Sequence, residues 1–173
     1  MYPYGIMVNT RGERFIDEVW DTRGRTYASM GRAILAQPGG VAFQILDAKI
    51  RKLNLYTSNY KKATTAQADT LEKLAEELDL PVAAFVKTVR EFNAAVQPGQ
   101  YNPDRHQLDG KCTAGLYPPK SNYAMEIDEG PFEAWPVRCG ITFTFGGLKI
   151  DANTAQIQHV AGRPIPGLYA AGE

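Results

Sequence analysis

No apolar run in this chain approaches the about 20 residues that a membrane-spanning helix needs, and none of the 173 residues forms a block of like charge. Nineteen Lys and Arg balance nineteen Asp and Glu, so the chain has no overall field to draw nucleic acid or an anionic membrane surface as a partner. Cysteine and histidine are scarce. Cys112 and Cys139 stand far apart with no CxxC or Cys/His spacing that builds a zinc site, and His106 and His159 have no ligand-like neighbours. The expectation is two reduced thiols, buried or half-buried, two surface histidines and no metal. The opening residues MYPYGIMVNTRGERF lack the basic start and apolar stretch of a secretory signal, which gives a cytoplasmic reading.

What is present fits a globular chain: 44% hydrophobic residues, 10% aromatic and room for one domain of ordinary size. Residues 4–15 read as a short hairpin, with GIMVN and RFI flanking a turn at Gly12 that gathers Arg11, Glu13 and Arg14. A helix starting from an N-cap at Thr26 carries Tyr27, Met30, Ala33 and Ile34 on one face and stops at Pro38-Gly39-Gly40. VAFQIL then alternates as a strand does. Asp69 and Glu72 have the spacing of a capping box for a helix with Leu71, Leu74 and Leu78 as its stripe. The next helix opens at Pro81 and buries Val82, Phe85, Val89, Phe92 and Val96. Residues 102–123 form a long loop or lid-like excursion. Strands follow at FEAWPV, GITFTFGGLKID and IQHV, and residues 168–171 read as a buried strand, after which the chain stops with neither cap nor polar tail. The expected class is α+β. A small mixed or antiparallel sheet is built from the hairpin, residues 41–46 and GITFTFGGLKID, and is covered by helices starting at Thr26, Asp69 and Pro81.

Four pieces in this order, GIMVNTRGERFIDE, LAEELDLPVAAFVKTVREFNAAV, GPFEAWPVRCGITFTFGGLKID and GRPIPGLYAAGE, resemble the flavoprotein subunits of the fumarate reductase and succinate dehydrogenase superfamily. Within it, GITFTFGGLKID and RTYASMGRAILAQPGG look most like the tricarballylate dehydrogenase branch. The resemblance implies an FAD-dependent oxidoreductase that moves hydride between flavin and a small polycarboxylate, with the electron-transfer partner left open. It also implies a Rossmann-like FAD domain opened by a GxGxxG turn, and this chain contains no such turn. The chain is therefore expected to be part of a longer protein and to lack the Rossmann-like domain. Residues 1–140 would be a substrate-capping domain and 141–173 the strands returning to the FAD domain, with FAD itself not retained by this piece alone. Two other readings stay open: a folded module with no activity of its own, and the capping domain of a steroid-type flavin dehydrogenase with Tyr27, Phe143 and Phe145 as an apolar wall.

The same resemblance places a proton-transferring arginine between the NxxGxRFxxE hairpin and the next helix. The stretch EVWDTRGRTYA offers Arg23 and Arg25, with Asp17, Glu18 and Asp21 as proton partners. Arg23 is favoured because it matches the tricarballylate branch better. Arginine also suits a polycarboxylate, since its planar fork donates to both oxygens of a carboxylate. Thr142, Phe143 and Thr144 occupy the substrate-binding position, with Phe143 where fumarate reductases carry a carboxylate-binding histidine. Gly146 and Gly147 would let backbone approach the flat flavin ring, and Glu173 would accept hydrogen bonds from FAD hydroxyls.

Overall fold

The computed structural model describes residues 2–53, 65–103, 107–141 and 146–171, and it divides into two compact units, Met1–Cys139 and Gly140–Glu173. The first unit is built on a strand apolar on both faces. In β2 (Val41–Leu46) the residues Ala42, Ile45 and Leu46 are wholly buried, which requires a layer on each side of the sheet. Its neighbours β1 (Ile6–Asn9) and β4 (Phe132–Arg138) run antiparallel to it, with Ile6 opposite Ile45 and Ala134 opposite Ile45 on the other side. The three-residue strand β3 (Ala66–Ala68) pairs with β4 at the edge, completing the order β1-β2-β4-β3. Pro136 of β4 lies past the end of β3, where the strand has one neighbour and a missing N–H is tolerated.

One face of this sheet is covered by α1 (Arg23–Leu35), whose Met30 and Ile34 meet Met7 and Ala42. The other carries α3 (Leu71–Glu77) and α4 (Val82–Ala95), whose Leu74, Phe85, Val89 and Phe92 pack on Ile6, Val8, Ile45 and Ala134. Each fully buried phenylalanine of α4 contributes about 1.5–3 kcal/mol of transfer free energy. A short helix, α2 (Ala48–Lys52), follows β2 and is capped by Asp47, whose side chain accepts from the Lys49 N–H. Glycine is required at two close approaches. A Cβ on Gly5 would stand 2.0 Å from the Ile45 carbonyl oxygen, and one on Gly12, at φ +75°, would stand 2.9 Å from the Phe85 nitrogen.

Several expectations change. The sheet takes its third strand from Phe132–Arg138, not from GITFTFGGLKID. Residues 142–145 of that stretch lie outside the described residues, and its glycine pair interrupts the rest, which forms only a single bridge at Ile150. The hairpin is one strand with an isolated bridge from Val8 to Arg14, because the Asn9 side chain takes the Arg11 and Glu13 N–H groups and closes a tight turn. Helix α1 begins a turn early, so Thr26 is a buried internal residue bonded to the Thr22 carbonyl rather than a cap. Thr70, not Asp69, caps α3 by accepting from Lys73 N–H. The excursion 102–123 is not lid-like at its C-terminal end: Lys120, Asn122 and Tyr123 are buried against the body. In the second unit β5 (Gln156–Gln158) and β6 (Pro164–Tyr169) form an antiparallel ribbon. Leu168 there is 47% exposed, because a two-stranded ribbon supplies no layer to cover it. Cys139 is exposed rather than buried, no disulfide joins it to Cys112, and His159 is at the surface, while His106 lies outside the described residues. No helix among the described residues is long and apolar enough to cross a membrane, and no cluster of three or more His, Cys, Asp or Glu among them suits a metal ion.

The first unit also encloses a charged centre. The Glu18 carboxylate is fully buried and accepts from Met7 N–H at 2.8 Å and from Arg14 at 3.1 and 2.7 Å. Arg14 in turn donates to the Pro118 and Pro119 carbonyls and lies 5.2 Å over the Phe92 ring. Lys120 Nζ is 3.7 Å from Glu18 and donates to the Pro3 and Gly5 carbonyls at 2.8 and 2.9 Å. Burial lowers the Lys120 ammonium from 10.5 to about 8, with Glu18 opposing the shift and Arg14 adding to it.

Two outcomes follow from this centre. Glu18→Ala leaves two buried cations without their anion and is expected to cost about 3–5 kcal/mol in urea unfolding; a loss below about 1 kcal/mol would show the centre to be solvated. The unfolded chain holds the Lys120 proton up to about pH 10.5 and the folded chain only to about pH 8. The contribution of Lys120 to stability therefore rises with pH across that window. Wild type should gain on Lys120→Met between pH 8 and 10, read as urea midpoints, and parallel pH dependences would refute the shift.

Candidate functional site

Arg23 and Arg25 are not loop residues: they occupy the first turn of α1, and both are exposed. That turn contains no acidic residue, so two cations stand at the positive end of the helix dipole, where anions are normally preferred. The arrangement sacrifices a little helix stability and makes the helix start attractive to a carboxylate. The arginines differ in their commitments. Arg25 Nη1 lies 3.4 Å from Asp21 Oδ2, whereas the Arg23 guanidinium has no ion-pair or hydrogen-bond partner among the described residues. The Asp21 carboxyl is held below the usual carboxylate range, first by the Thr22 N–H and further by Arg25.

The proposed proton partners sort differently from the expectation. Glu18 belongs to the buried centre with Arg14, and Asp17 is engaged by Val19 N–H and by the Ser121 N–H and hydroxyl. Neither carboxylate faces Arg23 as a free acceptor, because both anchor the stretch that leads to it. At the far end, the Tyr2 hydroxyl lies 2.8 Å from Thr26 Oγ1 and 3.4 Å from the Arg23 carbonyl oxygen. The first turn of α1 is thus held by Tyr2 at the Thr26 hydroxyl and the Arg23 carbonyl, while the Arg23 guanidinium is unengaged among the described residues.

Sequence reasoning missed this grip. Tyr2, Lys120, Ser121 and Asn122 were not singled out, and the available signal was the polar triplet Lys120-Ser121-Asn122 inserted in PPKSNYAMEI, where neighbouring residues are apolar.

Thr142, Phe143 and Thr144 lie outside the described residues, as does Glu173. Gly146 and Gly147 are described and belong to the second unit. Gly146 has φ +119°, and a Cβ built on either glycine would meet nothing within 4 Å, so both present bare backbone to open space. Bare backbone of this kind leaves room for a flat ring. The phosphate-binding side is not supplied by a GxGxxG turn in this sequence.

Residues 3–173 match the FAD binding domain family. Over 97% of its length the chain is 33% identical to NADH:acrylate oxidoreductase of Vibrio harveyi, of which it covers 15%. A flavocytochrome c3 fumarate reductase in its open conformation superposes with a TM-score of 0.71 at 30% identity, over 98% of this chain and 27% of that one. A 3-ketosteroid-Δ4-(5α)-dehydrogenase from Rhodococcus jostii RHA1 superposes at 0.61 with 29% identity, over 99% and 32%. The chain thus spans at most about a third of the relatives described. The family match runs through the four-stranded sheet as well as the ribbon, which partly conflicts with the expectation that this chain lacks the Rossmann-like FAD domain. With a match over residues 3–173, this chain belongs to the FAD binding domain family, whose cofactor is FAD.

Proposed function

We propose that this chain is the substrate-facing part of an FAD-dependent oxidoreductase that acts on the C–C bond of a small carboxylate, with residues 1–140 as a capping domain and 141–173 as strands leading to the FAD domain. The observation that carries the proposal is the state of Arg23: exposed and without an ion-pair partner among the described residues at a cationic helix start, in a stretch otherwise clamped, while Arg25 is drawn to Asp21. Bound FAD would supply or accept the hydride. In the reducing direction the Arg23 guanidinium donates a proton to the substrate carbon next to the one that takes the hydride, and recovers it from solvent; in the oxidising direction Arg23 first gives a proton to solvent, and the neutral guanidine so formed takes the proton from that carbon. Its guanidinium also holds a carboxylate oxygen, which fixes the reacting carbons.

Phe143 in place of a carboxylate-binding histidine favours a substrate with carboxylate spacing other than that of fumarate, of the tricarballylate type, with Thr142 and Thr144 as hydroxyl donors. Gly146 and Gly147 face the flavin, and Glu173 reaches its hydroxyls. A steroid-type substrate is the second reading, supported by the likeness to the ketosteroid dehydrogenase and by Tyr27, 38% exposed on α1 beside the arginines.

Arg23→Lys is expected to lower kcat by about 100-fold or more with FAD occupancy unchanged, since Lys keeps charge but loses the fork and the donor geometry. Arg25→Lys should change kcat by less than about threefold. Flavin reduction or reoxidation in stopped flow is the measurement, and the reverse order of the two variants would transfer the role to Arg25. A purified 173-residue chain should not hold stoichiometric FAD, which flavin absorbance after desalting tests; full occupancy would place the phosphate-binding residues within this chain.

A further inference from the structure

Between the buried Glu18 and the first residue of α1 lie Val19, Trp20, Asp21 and Thr22. Val19 is 2% exposed and both of its backbone groups are held by side chains. Its N–H donates to Asp17 Oδ1 at 2.9 Å, and its carbonyl accepts from Asn122 Nδ2 at 2.9 Å. Asp17 is itself fixed from outside the stretch: Oδ1 accepts from Ser121 N–H at 3.2 Å and Oδ2 from the Ser121 hydroxyl at 2.5 Å. Asn122 is 6% exposed, and its Oδ1 accepts from Gly110 N–H at 2.8 Å. Beside them Lys120 is tied to the Pro3 and Gly5 carbonyls. Three consecutive residues of the long excursion therefore grip three parts of the N-terminal segment, and two of those grips fall on residues 17–19.

We infer that Ser121 and Asn122 are positioning residues for Arg23, holding residues 17–19 so that the first turn of α1 presents its unpaired guanidinium in one place. The inference rests on the reading of Arg23 as the proton-transferring group. The physical reason is the short span. Three residues separate Val19 from Arg23, and the N-cap position Thr22 makes no side-chain cap bond to steady the helix start. Orientation of the helix start then depends on the clamp behind it and on Tyr2 in front of it. Because a displacement of about 1 Å at a reacting group can cost 100-fold in rate, a partial loosening is expected to cost about tenfold.

The test uses the FAD-loaded protein that contains this chain, with Ser121→Ala, Ser121→Thr and Asn122→Asp. The last keeps an acceptor for Gly110 N–H and sets a carboxylate against the Val19 carbonyl, where the amide had donated. Hydrogen–deuterium exchange of residues 18–25 should quicken about tenfold in Ser121→Ala and Asn122→Asp, with α4 unchanged, and Ser121→Thr should restore the protection. With tricarballylate as the probe, kcat should fall about tenfold while KM stays within twofold, and Ser121→Thr should recover kcat. Unchanged exchange in residues 18–25 overturns the clamp. Exchange that rises equally in α4 overturns it as well, because the change is then a general loss of stability. Faster exchange with normal kcat overturns the positioning role. Arg23→Lys in the same assay separates the two ideas. If that variant turns over normally, the reading of Arg23 fails whatever exchange shows, and if it collapses while the Ser121 and Asn122 variants are normal, only the positioning role fails.

Discussion

A single carboxylate, that of Glu18, ties together parts of the chain that share no regular hydrogen-bond ladder. It receives the Met7 N–H from the edge strand, both faces of the Arg14 fork, and the field of Lys120, more than a hundred residues away in sequence. An isolated buried charge of this kind would be prohibitive, so the three groups exist only together. Arg14 spends its remaining donors on the Ile16, Pro118 and Pro119 carbonyls, and Lys120 spends two on Pro3 and Gly5. Apart from Pro3, which lies in the single 3-10 turn Tyr2–Tyr4, these carbonyls belong to irregular segments, whose buried backbone acceptors need side-chain donors. The ion centre therefore joins residues 118–120 to the N-terminal segment where no sheet or helix does.

Which parts of this were legible in the sequence follows from the range of the interactions. Helices α3 and α4 were readable because Leu74, Phe85, Val89 and Phe92 repeat at helical spacing and their partners lie on a continuous apolar face. Residues 41–46 were readable as a strand for a similar reason. The errors came where a local pattern had two physical solutions. Thr26 has the composition of a cap, yet its hydroxyl is taken by Tyr2 and the Thr22 carbonyl inside the helix. GITFTFGGLKID alternates like a strand, but FEAWPVR, immediately before it, occupies the place beside β2, and its buried Ala134 fits against Ile45 without displacing the helices of α3 and α4.

The candidate site shows the same division. Arg23 and Arg25 were found from the resemblance, and neither composition nor periodicity distinguishes them. What separates them is a contact between side chains one helical turn apart: Asp21 stands four residues before Arg25, at the spacing that brings side chains together on a helix, and only two before Arg23. That distinction was present in the spacing once the helix was known to start at Arg23 rather than at Thr26. The roles of Asp17 and Glu18 were not recoverable in this way: Ser121 and Lys120 are brought in by tertiary packing, and Arg14, though four residues before Glu18, is joined to it across a non-helical stretch.

The helix start that bears the arginines breaks a local rule, and the fold shows how the break is sustained. Two cations in the first turn of α1 oppose the helix dipole by tenths of a kcal/mol each, and Gly24 between them has the poorest helix propensity of any residue but proline. A helix held only by its own propensity would fray there. It does not have to rely on that propensity, since Thr26 is wholly buried behind the first turn and bonded to Tyr2, Met30 and Ile34 anchor the following turns on the sheet, and the stretch preceding Arg23 is fixed at Glu18 and Val19. Stability is thus imported from tertiary contacts on both sides of a segment whose own sequence disfavours helix. A cationic turn so supported keeps one guanidinium without an ion pair among the described residues, the feature on which the proposed carboxylate-binding role of Arg23 depends.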